Sequence, residues 1–154
     1  MTDVIIIGGG PAGAALGCYL SKLGVSSVIL ESAHHPRHHV GESMVMSTIR
    51  IFDELGFLET MEREGFVHKY GASWHELRGR ESTIRFADFP EEGISQDYTY
   101  HVDRSRFDHL LLQHARSLGS QVYQGVQVRQ VLFDAGQAVG VRVQLGDQNV
   151  DLHS

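Results

Sequence analysis

Val4-Ile5-Ile6-Ile7-Gly8-Gly9-Gly10-Pro11-Ala12-Gly13, followed by Ala14-Ala15-Leu16-Gly17-Cys18-Tyr19-Leu20-Ser21-Lys22-Leu23-Gly24, decides the fold. A continuous β-branched run with no polar alternation is the pattern of a strand buried on both faces. Glycines interrupt it at once, and the next stretch carries apolar residues at helical spacing, with Gly24 as its stop. Val28-Ile29-Leu30 reads as a second strand, closed by Glu31. Strand, glycine turn, helix and strand make a βαβ opening, the building unit of a parallel sheet.

Gly8, Gly10 and Gly13 fit G-x-G-x-x-G, a weak pattern in isolation that gains weight from its surroundings. It follows a buried strand, opens a helix, and is trailed by Glu31, 18 residues after Gly13 (31 − 13 = 18). The first glycine permits the tight turn, the second lets backbone approach a pyrophosphate, and the third lets helix and strand pack closely. Pro11 falls where a missing N–H costs little, and Ala12 lies in the first helical turn, whose free N–H groups and partial positive charge suit phosphates. Glu31 is placed to accept hydrogen bonds from a ribose diol, and its charge disfavours a 2′-phosphate. The sequence thus predicts an α/β, Rossmann-like FAD/NAD(P)-binding domain. FAD is favoured over NAD because a Pro/His loop, a helix and an antiparallel stretch stand where an NAD dehydrogenase usually continues its parallel sheet.

Further along, Ser32 to Val40 is a polar, His-rich loop, and Gly41-Glu42-Ser43 is expected to open a second helix running through Leu55. A short helix is expected over Leu58 to Glu64. From about 67 to 102, aromatic and β-forming residues alternate with polar ones, which predicts a small inserted antiparallel sheet. Arg104 to Leu118 returns to helix, with Phe107, Leu110, Leu111 and Ala115 on one face. Val126 to Leu145 alternates around Asp134-Ala135-Gly136-Gln137, a hairpin signal. Residues 1–154 are therefore expected to form one nucleotide-binding domain, with 103–154 returning to it after the insertion. Val150-Asp151-Leu152-His153-Ser154 has no turn chemistry after an alternating stretch, so the domain is expected to be truncated at its C-terminus, in mid-strand.

Composition narrows the function. The chain has 154 residues, with 13 Lys+Arg against 19 Asp+Glu and a net charge of −6. An acidic balance argues against a nucleic-acid partner, because neutralising phosphates needs clustered Lys and Arg. Hydrophobic residues at 42% are ordinary for a globular domain and argue against disorder. Cys18 is the single cysteine, which favours a cytoplasmic setting over a disulfide-stapled secreted domain. Met1-Thr2-Asp3 lacks a basic leader, and the early apolar run is only four residues long, so neither a signal peptide nor a membrane span is expected.

Ile6-Ile7-Gly8-Gly9-Gly10-Pro11-Ala12-Gly13, Glu31 and Pro36-Arg37-His38-His39-Val40-Gly41-Glu42-Ser43 together resemble the start of FAD-dependent monooxygenases of the hydroxybenzoate-hydroxylase-like fold. The Pro-Arg-x-x-x-Gly-Glu-Ser segment is closest to flavin-dependent halogenases (tryptophan-halogenase-like) and to geranylgeranyl-reductase-like oxidoreductases. Gly65-Phe66-Val67-His68-Lys69-Tyr70-Gly71-Ala72-Ser73-Trp74 resembles the halogenase segment in which a lysine follows the second helix. Asp103-Arg104-Ser105-Arg106-Phe107-Asp108 resembles the arginine-bearing helix start that these flavoproteins place near FAD. The resemblance implies that Arg37 lies near FAD and that the Gly41-Glu42-Ser43 backbone lines the flavin at a helix N-terminus. It also implies that Arg104 contacts the phosphate or ribityl region, and that Val128 meets the adenine through its backbone.

In such halogenases, oxygen activated at reduced flavin oxidises halide to hypohalous acid, and a lysine directs that species to an electron-rich substrate. The resemblance assigns this role to Lys69. An amine suits it because it exists charged or neutral, as an always-charged guanidinium does not. The chain has 11 Arg and only two Lys, Lys22 and Lys69. The resemblance further implies a small-molecule substrate, aromatic or tethered to a carrier protein, and a separate flavin reductase as partner. Two rival readings are a geranylgeranyl-reductase-like enzyme that moves hydride from FAD to an alkene, and a non-catalytic FAD-binding fragment. The first would not need Lys69. The later Gly-Asp and Trp-x-Trp-x-Ile-Pro segments of halogenases are absent from these 154 residues, which leaves the chain alone expected to be inactive.

His34, His35, His38 and His39 crowd one loop, but no zinc spacing or carboxylate partner accompanies them, so no metal site is expected. Cys18 falls on the apolar side of the first helix and reads as a buried small hydrophobe. Trp74, Phe86 and Tyr98 fit either a substrate wall or core packing of the insertion.

Overall fold

A computed structural model describes residues 2–90, 94 and 96–154; residues 91–93 and 95 of the expected insertion lie outside the described residues. The elements run β1 (Val4–Ile7), α1 (Pro11–Lys22), β2 (Ser27–Glu31), α2 (Ser47–Leu55), α3 (Leu58–Glu64), β3 (Val67–Lys69), β4 (Gly71–His75), β5 (Glu81–Arg85), a 3₁₀ turn (Phe86–Asp88), β6 (Thr99–His101), α4 (Arg104–Leu118), β7 (Gln121–Gln124), β8 (Gln127–Asp134), β9 (Gln137–Leu145) and β10 (Gln148–His153). The chain divides into two compact units, Met1–His39 with Ser105–Ser154, and Val40–Arg104. Among the described residues, no helix is long and apolar enough to cross a membrane.

The first unit carries a parallel sheet in the order β1-β2-β7 and an antiparallel sheet in the order β10-β9-β8. β2 is the central strand, and all five of its residues are buried. The expected burial of β1 on both faces is corrected: only Ile6 is buried, and Ile7 is 54% exposed. The reason is position, since Ile7 ends the strand at the glycine loop and faces a cavity of about 170 Å³ that it lines with Gly8 and Val128. β7, which has no apolar run to announce it, pairs in parallel with the other side of β2. Val28 and Leu30 of β2 pack against Val141 and Val143 of β9, with Ile5, Val126, Val128, Val150 and Leu152 partly buried around them. Burying such side chains is worth about 1.5–3 kcal/mol each, which fastens the antiparallel sheet to the parallel one.

The hairpin of β8 and β9 turns at Ala135 and Gly136, both at positive φ, the conformation of a two-residue hairpin turn. In α4 the buried face is Phe107, Asp108, Leu111, Leu112 and Ala115, so Leu112 takes the inward place expected of Leu110. Cys18 is fully buried in α1.

In the second unit, α2 buries Ile49, Phe52 and Leu55, and α3 buries Met61. The Phe52 and Phe57 rings meet edge-on, with centroids 6.1 Å apart. The expected inserted sheet is antiparallel but comes as two ribbons, β3 with β6 and β4 with β5. The expected helix start at Gly41 is also corrected, because α2 begins only at Ser47. The backbone of the preceding segment is committed to strand-like pairing. Ser43 bridges His101, Met44 N–H donates to Tyr100 O (2.9 Å), and Val102 N–H donates to Glu42 O (2.8 Å).

Candidate cofactor site

The glycine loop joins β1 to α1, and two steric facts explain its sequence. Gly8 sits at φ +101°, which side chains rarely adopt. A Cβ on Gly13 would overlap the Gly8 carbonyl oxygen, so the third glycine is required by the contact of helix on loop. Gly8 N–H donates to Leu30 O (2.8 Å), which fastens the loop to β2. Gly10 is the N-cap of α1, with Pro11 in the first turn and no side-chain cap. By helix geometry, the amides of Ala12 and Gly13 have no carbonyl one turn below them, and they are free to meet an anion.

Glu31 ends β2 directly beside this loop and is buried. Its Oε2 accepts from Gly9 N–H at 2.7 Å and its Oε1 from Ala33 N–H at 2.8 Å. Burial by itself would raise its pKa, but these two N–H donors and the nearby Arg37 charge outweigh burial and hold the carboxyl below its ordinary value. A carboxylate offers about four lone-pair positions, so acceptor capacity remains for ribose hydroxyls.

Arg37 approaches the same loop. Its Nη2 lies 3.8 Å from where a Cβ on Gly10 would stand, and its Nε is buried without a hydrogen-bond partner. His35, which is 9% exposed, leaves both ring nitrogens unpartnered, as does Nδ1 of His109 on α4. Burial and then the Arg37 charge push the His35 pKa below the usual histidine range, against the opposing pull of Glu31 and Asp108. Orphaned buried donors beside a loop of free amides fit an anionic ligand that would complete them. Val128 lines a cavity of about 170 Å³ together with Gly8, Ser32 and Val126. The first unit therefore gathers Gly8, Gly10, Pro11, Ala12, Gly13, Glu31, Arg37 and Val128 about one end of β1 and β2.

In the second unit, Gly41 turns at φ +102°, and Arg104 Nη1 donates to Val40 O (2.6 Å) and to Gly41 O (3.4 Å). Gly41, Glu42 and Ser43 are exposed and precede the first helical turn of α2 by several residues, so they do not stand at a helix N-terminus. Lys69 projects from β3 and donates from Nζ to Met44 O at 3.0 Å, with Nζ 5.4 Å from the centre of the Phe86 ring. Tyr98 stacks on His68 at 3.8 Å, and Trp74 is 53% exposed. Among the described residues, no group of three or more His, Cys, Asp or Glu is arranged to hold a metal ion. Sequence reading passed over the orphaned nitrogens of His35 and His109, which no spacing or motif marks.

The family model for the FAD binding domain matches residues 1–154. This chain belongs to the FAD binding domain family. The cofactor of the FAD binding domain is FAD, and the orphaned Arg37 Nε and the partly free Glu31 carboxylate fit it. A 1H-pyrrole-2-carbonyl-[peptidyl-carrier protein] chlorinase of Pseudomonas fluorescens is 40% identical, aligning with 97% of this chain and 37% of that protein. The chain thus spans little more than a third of that curated relative's length. The structure of the myxobacterial chondrochloren halogenase matches with a TM-score of 0.89 at 33% identity, over 99% of this chain and 35% of that one. A geranylgeranyl bacteriochlorophyll reductase-like protein of Thermoplasma acidophilum matches with a TM-score of 0.76 at 21% identity, over 99% of this chain and 37% of that one, and shares the fold.

Proposed function

We propose that the protein is a flavin-dependent halogenase in which Lys69 directs oxidised halogen to an electron-rich substrate. The observation that carries this reading is the placement of Lys69. It is one of two lysines in the chain, half-buried, and its ammonium is held at 3.0 Å by the carbonyl next to Gly41-Glu42-Ser43. The similarity to a chlorinase and a halogenase supports the same chemistry. FAD, once bound and reduced, supplies the activation of oxygen. The chain's own residues bind and orient. Gly8, Gly10, Pro11, Ala12 and Gly13 take the pyrophosphate, Glu31 the ribose diol, Arg37 the adjacent phosphate charge, and the Val128 backbone the adenine. Arg104 braces the Gly41 turn, and the Gly41-Glu42-Ser43 backbone is offered to the flavin.

The proposed substrate is an aromatic ring, free or carried on a carrier protein; the chlorinase's name describes a pyrrole carried in that way. The proposed partner is a separate flavin reductase, and the proposed setting is the cytoplasm. The test is halide incorporation in the whole protein. Lys69→Ala and Lys69→Arg should abolish it while leaving FAD binding and reduction intact. Halogenation retained by Lys69→Ala would overturn the reading, and alkene reduction by that variant would replace it.

A further inference from the structure

Lys69 is held from two sides, and only one of them is backbone. Lys69 and Thr99 face each other across the β3–β6 ladder, and they donate to consecutive carbonyls, Lys69 Nζ to Met44 O (3.0 Å) and Thr99 Oγ1 to Val45 O (3.2 Å). Met44 is itself fixed by its N–H bond to Tyr100 O (2.9 Å). The other side is the Phe86 ring, 5.4 Å from Nζ. Phe86 opens the 3₁₀ turn just after β5, and its N–H bond to Tyr70 O (3.0 Å) ties it to the residue following Lys69. An ammonium over an aromatic face is attracted by the ring's quadrupole, so the ring draws the cation to one place that a flexible four-carbon stem would not choose alone.

We propose that Phe86 is a positioning residue for Lys69: its ring face and the Met44 carbonyl together fix the ammonium in one place on the β3–β6 ribbon. This rests on the reading of Lys69 as the group that directs oxidised halogen. The ring does not touch the reacting atoms; it restricts where the amine points, and through that where the halogen goes.

The experiment has two arms and uses the whole protein. In the first, folded protein is acetylated briefly with N-hydroxysuccinimidyl acetate, and mass spectrometry reads modification of Lys69 against Lys22 as internal reference. Phe86→Leu should raise that ratio about two- to fivefold, the release expected for a partly exposed cation–π contact. Phe86→Tyr should restore the wild-type ratio. In the second arm, with halide and an aromatic substrate, a soluble thioether trap measures oxidised halogen that escapes. Phe86→Leu should raise the escaped share relative to product, with FAD content and flavin reduction unchanged, and Phe86→Tyr should reverse it. An unchanged labelling ratio in Phe86→Leu, or an unchanged escaped share, overturns the proposal. Halogenation that survives Lys69→Ala instead overturns the underlying reading, whatever the labelling shows.

Discussion

Glu31 and Gly9, 22 positions apart, are joined by a 2.7 Å hydrogen bond from the Gly9 amide to the Glu31 carboxylate. The acid that closes the second strand thereby shapes the loop that opens the first helix. Two consequences follow for the same few residues. The loop is set by the chain's own residues, and the carboxylate is held below its ordinary pKa with acceptor capacity to spare.

The packing at Gly13 leaves no room for a methyl group, because its Cβ would overlap the Gly8 carbonyl. Gly13→Ala should force helix and loop apart, costing about 1–3 kcal/mol in a urea unfolding titration and weakening FAD binding. Gly24→Ala has open space around it, so any cost there comes from its φ of +73° alone, and FAD affinity should be unchanged.

Acidification should destabilise the domain in two stages. His35 and Glu31 both have folded pKa values below their ordinary ones, near 6.5 and 4.5 respectively. In each case the unfolded chain binds more protons, so stability rises with pH through the affected range. Stability is full above about 6.5, falls first as unfolded His35 takes up its proton, and falls again below 4.5 as Glu31 and Glu62 do, with Asp3 and Asp151 following from 3.8. The charged and titratable groups around His35 are Arg37, Glu31, Asp108 and His109. His35→Phe should remove the first stage and leave the second. Unfolding midpoints measured from pH 8 to pH 4 read both; an identical slope between pH 7 and 5.5 in the variant would exclude His35 as its source.

Cys18 should be chemically silent in the folded protein. It is fully buried, and that burial pushes its thiol up to about 11. Reaction with iodoacetamide at pH 8 is expected only after denaturation, since the thiolate is the nucleophile. Alkylation at the rate of a free thiol under native conditions would contradict the packing of α1.

Arg104 should act first on the local fold. Replacing it with Ala removes the donor that holds Val40 O at 2.6 Å beside the positive-φ turn at Gly41. A loss of only about 0.5–1 kcal/mol is expected, because the contact is exposed. Arg104→Lys should recover only part of it, since a single ammonium cannot repeat the guanidinium's geometry.

Local chemistry was legible in the sequence, and pairing across distance was not. Gly8, Gly13 and Glu31 could be read because each has a steric or charge requirement tied to a fixed spacing. The ends of α1, α3 and α4 follow from apolar periodicity and glycine stops. Gly41-Glu42-Ser43 misled because a glycine, an acid and a serine before an apolar run look like a helix start. In the fold, their backbone is drawn into pairing with His101 and Val102, nearly sixty residues away (101 − 43 = 58). The exposure of Ile7 was hidden for the same kind of reason, because the cavity it faces is closed by Val126 and Val128, more than a hundred residues away (126 − 7 = 119). The ring of Phe86 over Lys69 depends on how two ribbons lie, and no spacing encodes it.

The most direct test of the account is a titration of the whole protein with FAD, following flavin fluorescence, for the wild type and Glu31→Ala. The wild type should bind one FAD per chain, and Glu31→Ala should bind it about ten- to a hundredfold more weakly, the loss of a charge-assisted hydrogen bond. A wild-type protein that takes up no FAD, or a Glu31→Ala variant with undiminished affinity, would contradict the assignment of the Gly8–Gly13 loop and Glu31 as the cofactor site.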